Sequence, residues 1–206
     1  MYGMQTTQWF WIRLGILGLC WGLFCAVWLI GAIYNFFNAP TVQKRTGPMY
    51  PLIAGITVFA IGKWLIPQRF WALLTSDTPW IRVIGTICLL LATAFTLWAR
   101  WVLGKMWSSS PVARVGHQLR TDGPYRMSRH PIYTGMLGML FGTMLMSGLG
   151  FYTLIFLLGI VIFEIKLHQE ERLLRETFGN EYVHYQQRVP QLIPGLKRGK
   201  GDTNRA

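Results

Sequence analysis

Between Ile132 and Phe163 the chain carries no charged residue. The apolar stretch reaches from Tyr133 to Ile165, about twice what a marginal membrane crossing needs. Its one internal break is Ser147-Gly148-Leu149-Gly150. The pattern predicts two short crossings of ~17 residues each, joined by a tight turn into a hairpin. Three further apolar runs, roughly Phe10–Phe36, Pro48–Ile66 and Trp80–Trp101, have the length of single crossings. Only 14% of the 206 residues are charged, against about 25% for soluble domains. The expected fold class is therefore all-α: a polytopic membrane helical bundle of five transmembrane helices, the last two forming the hairpin.

Two spans carry spaced small-residue stripes. Gly15, Gly18 and Gly22 give the first span a small-residue face, and Gly138 and Gly142 do the same for the first arm of the hairpin. Trp64, Trp71 and Trp80 border the loop from Pro67 to Pro79, as an interfacial aromatic belt predicts. Cys20, Cys25 and Cys88 lie inside apolar runs and read as small hydrophobes, with neither disulfide nor metal-ligand spacing. Met1 to Gln8 has no basic region and the apolar run after it is too long for a cleaved signal.

The net charge of +12 on a membrane chain points to anionic lipid and the positive-inside rule, and away from nucleic acid. The long connection from Lys105 to Arg129 holds five basic residues and one acid, and the C-terminal tail is also basic. Both are expected on the cytoplasmic side, with a hairpin between them and the N-terminus outside. Lys44 and Arg45 in the first loop agree with this orientation; Arg69, flanked by Lys63 and Arg82, opposes it mildly.

Two polar clusters flank the hairpin. The first is His117 to Tyr133, HQLRTDGPYRMSRHPIY; the second is Lys166 to Glu171. Polar groups this close to lipid are tolerated chiefly where they line a cavity or face headgroups. Glu164, His168, Glu171 and Arg175 share one helical face by spacing. Spacing alone also allows a simple set of intrahelical ion pairs, each worth a few tenths of a kcal/mol. Pro131 suits the first turn of a helix, which would leave Arg129 and His130 as ordinary interfacial residues. No GxGxxG follows a strand, so a pocket here must be built from helices and loops.

Taken in order, the pieces resemble the isoprenylcysteine carboxyl methyltransferase family of integral membrane S-adenosylmethionine-dependent enzymes. They are His117, then Gly123-Pro124-Tyr125, then Arg129-His130-Pro131-Ile132-Tyr133-Thr134-Gly135, then, past the hairpin, Glu170-Glu171-Arg172-Leu173-Leu174. Phe178-Gly179-Asn180-Glu181-Tyr182-Val183-His184-Tyr185 and Arg188-Val189-Pro190 complete it, so the resemblance covers about residues 117–194.

The resemblance implies that S-adenosyl-L-methionine is held by His117, Gln118, Leu119, Arg120, Tyr125, His130, Pro131, Ile132, Tyr133 and Glu170. It places Arg129 and Lys166 at the catalytic centre, and Lys166, Glu171 and Arg188 on the substrate. Lys166 stands where eukaryotic members carry an Arg, and a Lys is a point charge where an Arg is a bidentate fork. The implied reaction is methyl transfer to a lipidic or lipidated substrate that enters from the bilayer, an isoprenylcysteine carboxylate first of all. A phospholipid amine, another hydrophobic acid, an NADPH-dependent sterol-type reduction and a non-enzymatic scaffold are the alternatives. The implied organisation is residues 1–103 as the first three spans, 104–194 as the cofactor-binding catalytic region containing the hairpin at 132–166, and 195–206 as a disordered tail. The protein would be integral and multi-pass, with the cofactor reaching its site from the cytoplasm.

Overall fold

A computed structural model of the chain describes residues 2–38, 42–45, 57, 61, 64–76, 78–104, 112–114, 119–193 and 195. The expected second span falls almost wholly outside these, as do His117, Gln118 and all of the expected tail but Gly195. Six α-helices are described: α1 (Tyr2–Asn38), α2 (Gln68–Leu73), α3 (Pro79–Leu103), α4 (Pro131–Met146), α5 (Phe151–Phe178) and α6 (Asn180–Arg188). Beside them stand a 3-10 turn at Gly123–Arg126 and a two-stranded ribbon of β1 (Val42–Arg45) and β2 (Val112–Arg114).

α1, α3 and α5 are long and apolar enough to cross a membrane; α4, at 16 residues, is shorter. The 37 residues of α1 make a rod of about 55 Å, well beyond a hydrocarbon core of about 30 Å. Proline starts both α3 and α4, at the helical position where the missing N–H is not needed.

α3 and α4 form the tightest seam. A Cβ added at Gly135 would fall on the Thr96 side chain, one at Gly138 would sit 2.8 Å from Ala92 Cβ, and one at Gly142 2.8 Å from Leu89 Cα. Gly85 of α3 meets the backbone of Met146 in the same way. Apolar lipid gives helices little hydrophobic reason to associate, so this close backbone approach and its dispersion contacts hold the pair. Thr96 can join the seam because its hydroxyl donates back to Ala92 O (2.7 Å) and leaves no polar group unmet.

α1 lies against this pair. Cys20 is buried with Leu89, Ala92, Met139 and Met146, and Trp21 and Phe24 pack around them. Trp21 Nε1 donates to Thr143 Oγ1 at 3.1 Å. A Cβ at Gly15, Gly18 or Gly22 meets nothing within 4 Å among the described residues. The close approach comes further along, where Gly31 faces the Arg100 guanidinium.

Backbone contacts tie the loops together at two places. Residues 147–150 join α4 to α5, with φ positive at Gly148 (85°), Leu149 (68°) and Gly150 (52°). Ser76 N donates to Gly148 O (2.9 Å) and Gly150 N to Leu74 O (3.2 Å), and Thr75 bridges Leu149. Trp71 of α2 is buried there, its ring 5.1 Å from Phe151. Elsewhere, β1 pairs antiparallel with β2, Val42 opposite Arg114 and Arg45 opposite Val112. Alongside this, α5 returns against α4, with rings of Phe141 and Phe156 at 5.4 Å and Tyr133 and Phe163 at 5.3 Å.

Candidate functional site

The two polar clusters meet where α4 begins and the polar end of α5 passes it. Pro131 is fully buried at the first position of α4, and His130 is its N-cap residue, 4% exposed. α5 runs on past its last apolar turn and brings two neighbouring acids to this point. The His130 ring lies between them: Nδ1 is 4.0 Å from Glu170 Oε2 and Nε2 is 3.3 Å from Glu171 Oε1. The same ring has its centroid 6.0 Å from that of Tyr133.

The acids have different surroundings. Glu171 is buried and fully engaged. Its Oε1 accepts from Arg129 Nε (2.9 Å) and lies 2.7 Å from Arg129 Nη2. Its Oε2 accepts from Gln186 Nε2 (3.0 Å) and lies 3.7 Å from Arg175 Nη2. Burial by itself would raise the Glu171 carboxyl. The hydrogen bond and charge of His130, then those of Arg129, outweigh it and bring the group down to about 2. Glu170, by contrast, keeps about a third of its side chain exposed (32%).

Arg129 is spent in the same network. Besides Glu171, its Nη1 donates to Gln186 O (3.1 Å) and Val189 O (2.7 Å). Such an Arg holds elements together and has little left for a ligand. Glycine at 179, φ 53°, breaks the helix between α5 and α6 and lets α6 fold back on α5. Tyr182, Tyr185 and Val189 then bury themselves with Leu119, Leu174 and Phe178. Tyr185 donates its hydroxyl to Tyr125 O at 2.6 Å. Burial pushes the Tyr182 and Tyr185 phenols up, so both stay neutral donors. The Tyr182 hydroxyl is buried without a hydrogen-bond partner among the described residues.

Of the residues picked out in the sequence, the structure therefore gathers Arg129, His130, Pro131, Tyr133, Glu170 and Glu171. Tyr125 is buried nearby, its hydroxyl 3.5 Å from Ala99 O. Ile132 is half-buried, and Leu119 packs on the Tyr182 cluster. Lys166 is half-buried one helical turn before Glu170, with no ion-pair partner among the described residues. Arg120 stands apart, exposed and 4.0 Å from Asp122. Arg188 is exposed as well, and its Nε donates to His184 O on its own helix (3.3 Å). Gln186 received no role in the sequence reading, and Ser128, Thr134 and Tyr182 entered it only as members of longer motifs, because a neutral polar residue carries no role until its partner is known.

Residues 80–181 match the family profile described as Phospholipid methyltransferase, abbreviated PEMT. The human protein-S-isoprenylcysteine O-methyltransferase is 29% identical over 152 residues, 71% of this chain and 53% of that protein. Protein-S-isoprenylcysteine O-methyltransferase B of Arabidopsis thaliana is 36% identical over 83 residues, 38% of this chain and 40% of that protein. The chain thus spans about half the length of these curated relatives or less. Among solved structures, a eukaryotic intramembrane Ras methyltransferase, isoprenylcysteine carboxyl methyltransferase, superposes with a TM-score of 0.51 at 24% identity, over 75% of this chain and 55% of that one. The likeness shows a shared fold. The matched family profile also runs from the start of α3 through Glu170 and Glu171 to the start of α6, the elements that build the His130 cluster. The chain is thus similar to membrane methyltransferases of two kinds, the phospholipid methyltransferases by the profile over residues 80–181 and the isoprenylcysteine O-methyltransferases by its relatives and its fold.

Proposed function

We propose that this protein transfers a methyl group from S-adenosyl-L-methionine to the carboxylate of an isoprenylcysteine-like lipid or lipidated chain. The observation that carries the reading is the contrast between the two acids: Glu171 is consumed by Arg129, His130 and Gln186, while Glu170 next to it stays partly open beside His130 and Tyr133. The donor sets fit the cofactor. Glu170 can accept from ribose hydroxyls or the amine, the Tyr133 ring and His130 offer a face to adenine or a cation, and the orphaned Tyr182 hydroxyl is a donor in want of an acceptor. His117, Gln118 and Arg120, which precede Tyr125 in sequence, complete the assignment as the family resemblance implies it. The region from 104 to 194 is thus the catalytic one.

The cofactor supplies an electrophilic methyl on a sulfonium. A carboxylate oxygen forms the new C–O bond as the C–S bond breaks, giving a methyl ester and a neutral thioether. The acceptor is already ionised near neutrality, so no proton has to leave. The chain's work is alignment and exclusion of water. Lys166, half-buried on the same helix, is the cation we assign to the acceptor carboxylate.

We also infer five crossings with the last two as a hairpin. Supporting this, the ribbon draws the first and third loops together, and the Thr75–Leu149 bridge draws the second loop and the α4–α5 turn together. Five alternating crossings put those pairs on opposite sides. Charge bias then gives the ribbon side, with Lys44, Arg45 and Arg114, to the cytoplasm. The apolar substrate enters laterally from lipid.

Membranes holding the protein, incubated with methyl-labelled cofactor and an S-prenylated cysteine, should yield a base-labile methyl ester. Label in an amine headgroup and none in the ester would instead favour the second reading, phospholipid N-methylation, which the family profile keeps open. Label in neither would sink the proposal.

A further inference from the structure

The four residues that follow α6 present their backbone to the start of α4. Arg129 Nη1 donates to Val189 O (2.7 Å) and Arg129 N to Pro190 O (2.9 Å). His130 N and Ser128 Oγ both donate to Gln191 O, at 3.2 and 2.9 Å. Thr134 Oγ1 donates to Leu192 O at 2.8 Å. Four consecutive carbonyls, Val189 to Leu192, are thus taken by one segment, 128–134. The cause lies in the sequence. Pro190 cannot continue a helix and forces Val189 into extended backbone (φ −116°, ψ 130°). α6 stops, and the carbonyls that would have pointed along a helix turn sideways toward Ser128 to Thr134.

We propose that Val189–Leu192 is a latch that positions His130, so that the methyl-donor pocket has its working affinity only while the latch is docked. The inference rests on the methyl-donor reading. His130 touches both acids by its ring and is fixed by its N–H. The backbone that carries the ring is therefore set by chain about 60 residues away, with Thr134 and Ser128 as positioning residues. Ser128 is fully buried and ties the arrangement at both ends, since it also accepts from His130 N (3.2 Å) and its Oγ lies 3.1 Å from Thr134 Oγ1.

The test uses the full chain purified in detergent, with hydrogen exchange at the Arg129 and His130 amides and equilibrium binding of S-adenosylhomocysteine. Thr134→Val removes the hydroxyl at nearly constant volume, Thr134→Ser keeps it, and a chain ending at Arg188 removes the latch. Loss of one buried hydrogen bond should speed exchange of the two amides by ~10-fold in Thr134→Val. It should weaken binding several-fold, and Thr134→Ser should restore both. The shortened chain should show both losses more strongly. Unchanged exchange in both altered chains overturns the latch. So does faster exchange with unaltered affinity, because the contact then positions nothing. A parent chain that binds no S-adenosylhomocysteine counts against the methyl-donor reading, and exchange alone then decides the latch.

Discussion

Glu170 and Glu171 are neighbours in sequence, and replacing each with alanine should damage different properties. Glu171→Ala leaves the Arg129 guanidinium, whose side chain is only 12% exposed, facing His130 and backbone carbonyls with no anion. Breaking a buried ion pair from one side costs about 3–5 kcal/mol. At about 2–4 °C per kcal/mol for a chain of this size, the melting temperature should fall by about 10 °C. Glu170→Ala removes a carboxylate that is 32% exposed and has water as an alternative partner, so the melting temperature should move by less than ~2 °C. It should instead cost the charged hydrogen bonds to the cofactor, about 1.5–3 kcal/mol, which is on the order of 10- to 100-fold in Kd. Thermal unfolding in detergent and equilibrium binding of S-adenosylhomocysteine, run on the same preparations, separate the two. The opposite pattern would refute this division of labour: a stable Glu171→Ala that no longer binds, or a Glu170→Ala that melts early and binds as the parent does.

If the acceptor is a carboxylate, Lys166→Arg should keep or raise turnover, because a fork replaces a point charge; a large loss with S-prenylated cysteine would point to another nucleophile. Gly142→Ala puts a methyl group 2.8 Å from Leu89 Cα and should destabilise by about 1–3 kcal/mol, whereas Gly18→Ala, which meets nothing within 4 Å among the described residues, should leave the melting temperature unchanged; equal losses would mean that the α3–α4 seam is not the tight one. The Glu171 carboxyl titrates near 2 in the folded chain against an ordinary 4.5, so its stabilisation is complete above about pH 4.5 and fades as pH falls toward 2. The melting-temperature gap between the parent and Glu171→Gln should therefore narrow from pH 5 to pH 3, and a constant gap would show that the ionised carboxylate is not what braces Arg129.

What the sequence made legible was whatever depends on near neighbours. The expected span Trp80–Trp101 lies inside α3, the break at 147–150 is where α4 ends, and Pro131 opens a helix as its missing N–H allows. Hydropathy and proline act within a few residues, so they can be read without a partner. Small-residue spacing cannot. Gly15, Gly18 and Gly22 form the same kind of stripe as Gly135, Gly138 and Gly142, yet among the described residues only the second meets a neighbouring helix. A stripe permits close approach, and only the partner decides whether it happens. The β1–β2 pairing joins loops about 70 residues apart, and nothing in VQKR or VAR names the other.

The same limit explains why the site's residue types were visible and their duties were not. Arg129, His130, Glu170 and Glu171 all look like chemistry in the sequence. On the proposed reading, which acid is left for a ligand is decided by a third element, α6. Its Gln186 and the carbonyls after it take up Arg129, and Arg129 takes up Glu171. Were α6 displaced, Arg129 would be released toward solvent and Glu171 would become as available as Glu170. The distinction between brace and binder is therefore made by a helix of nine residues that carries neither acid. Substitutions in α6 should then behave as site mutations although α6 supplies neither His130 nor Glu170. Gln186→Ala is the sharpest of them, because it removes the hydrogen-bond donor to Glu171 Oε2 while leaving every charge in place.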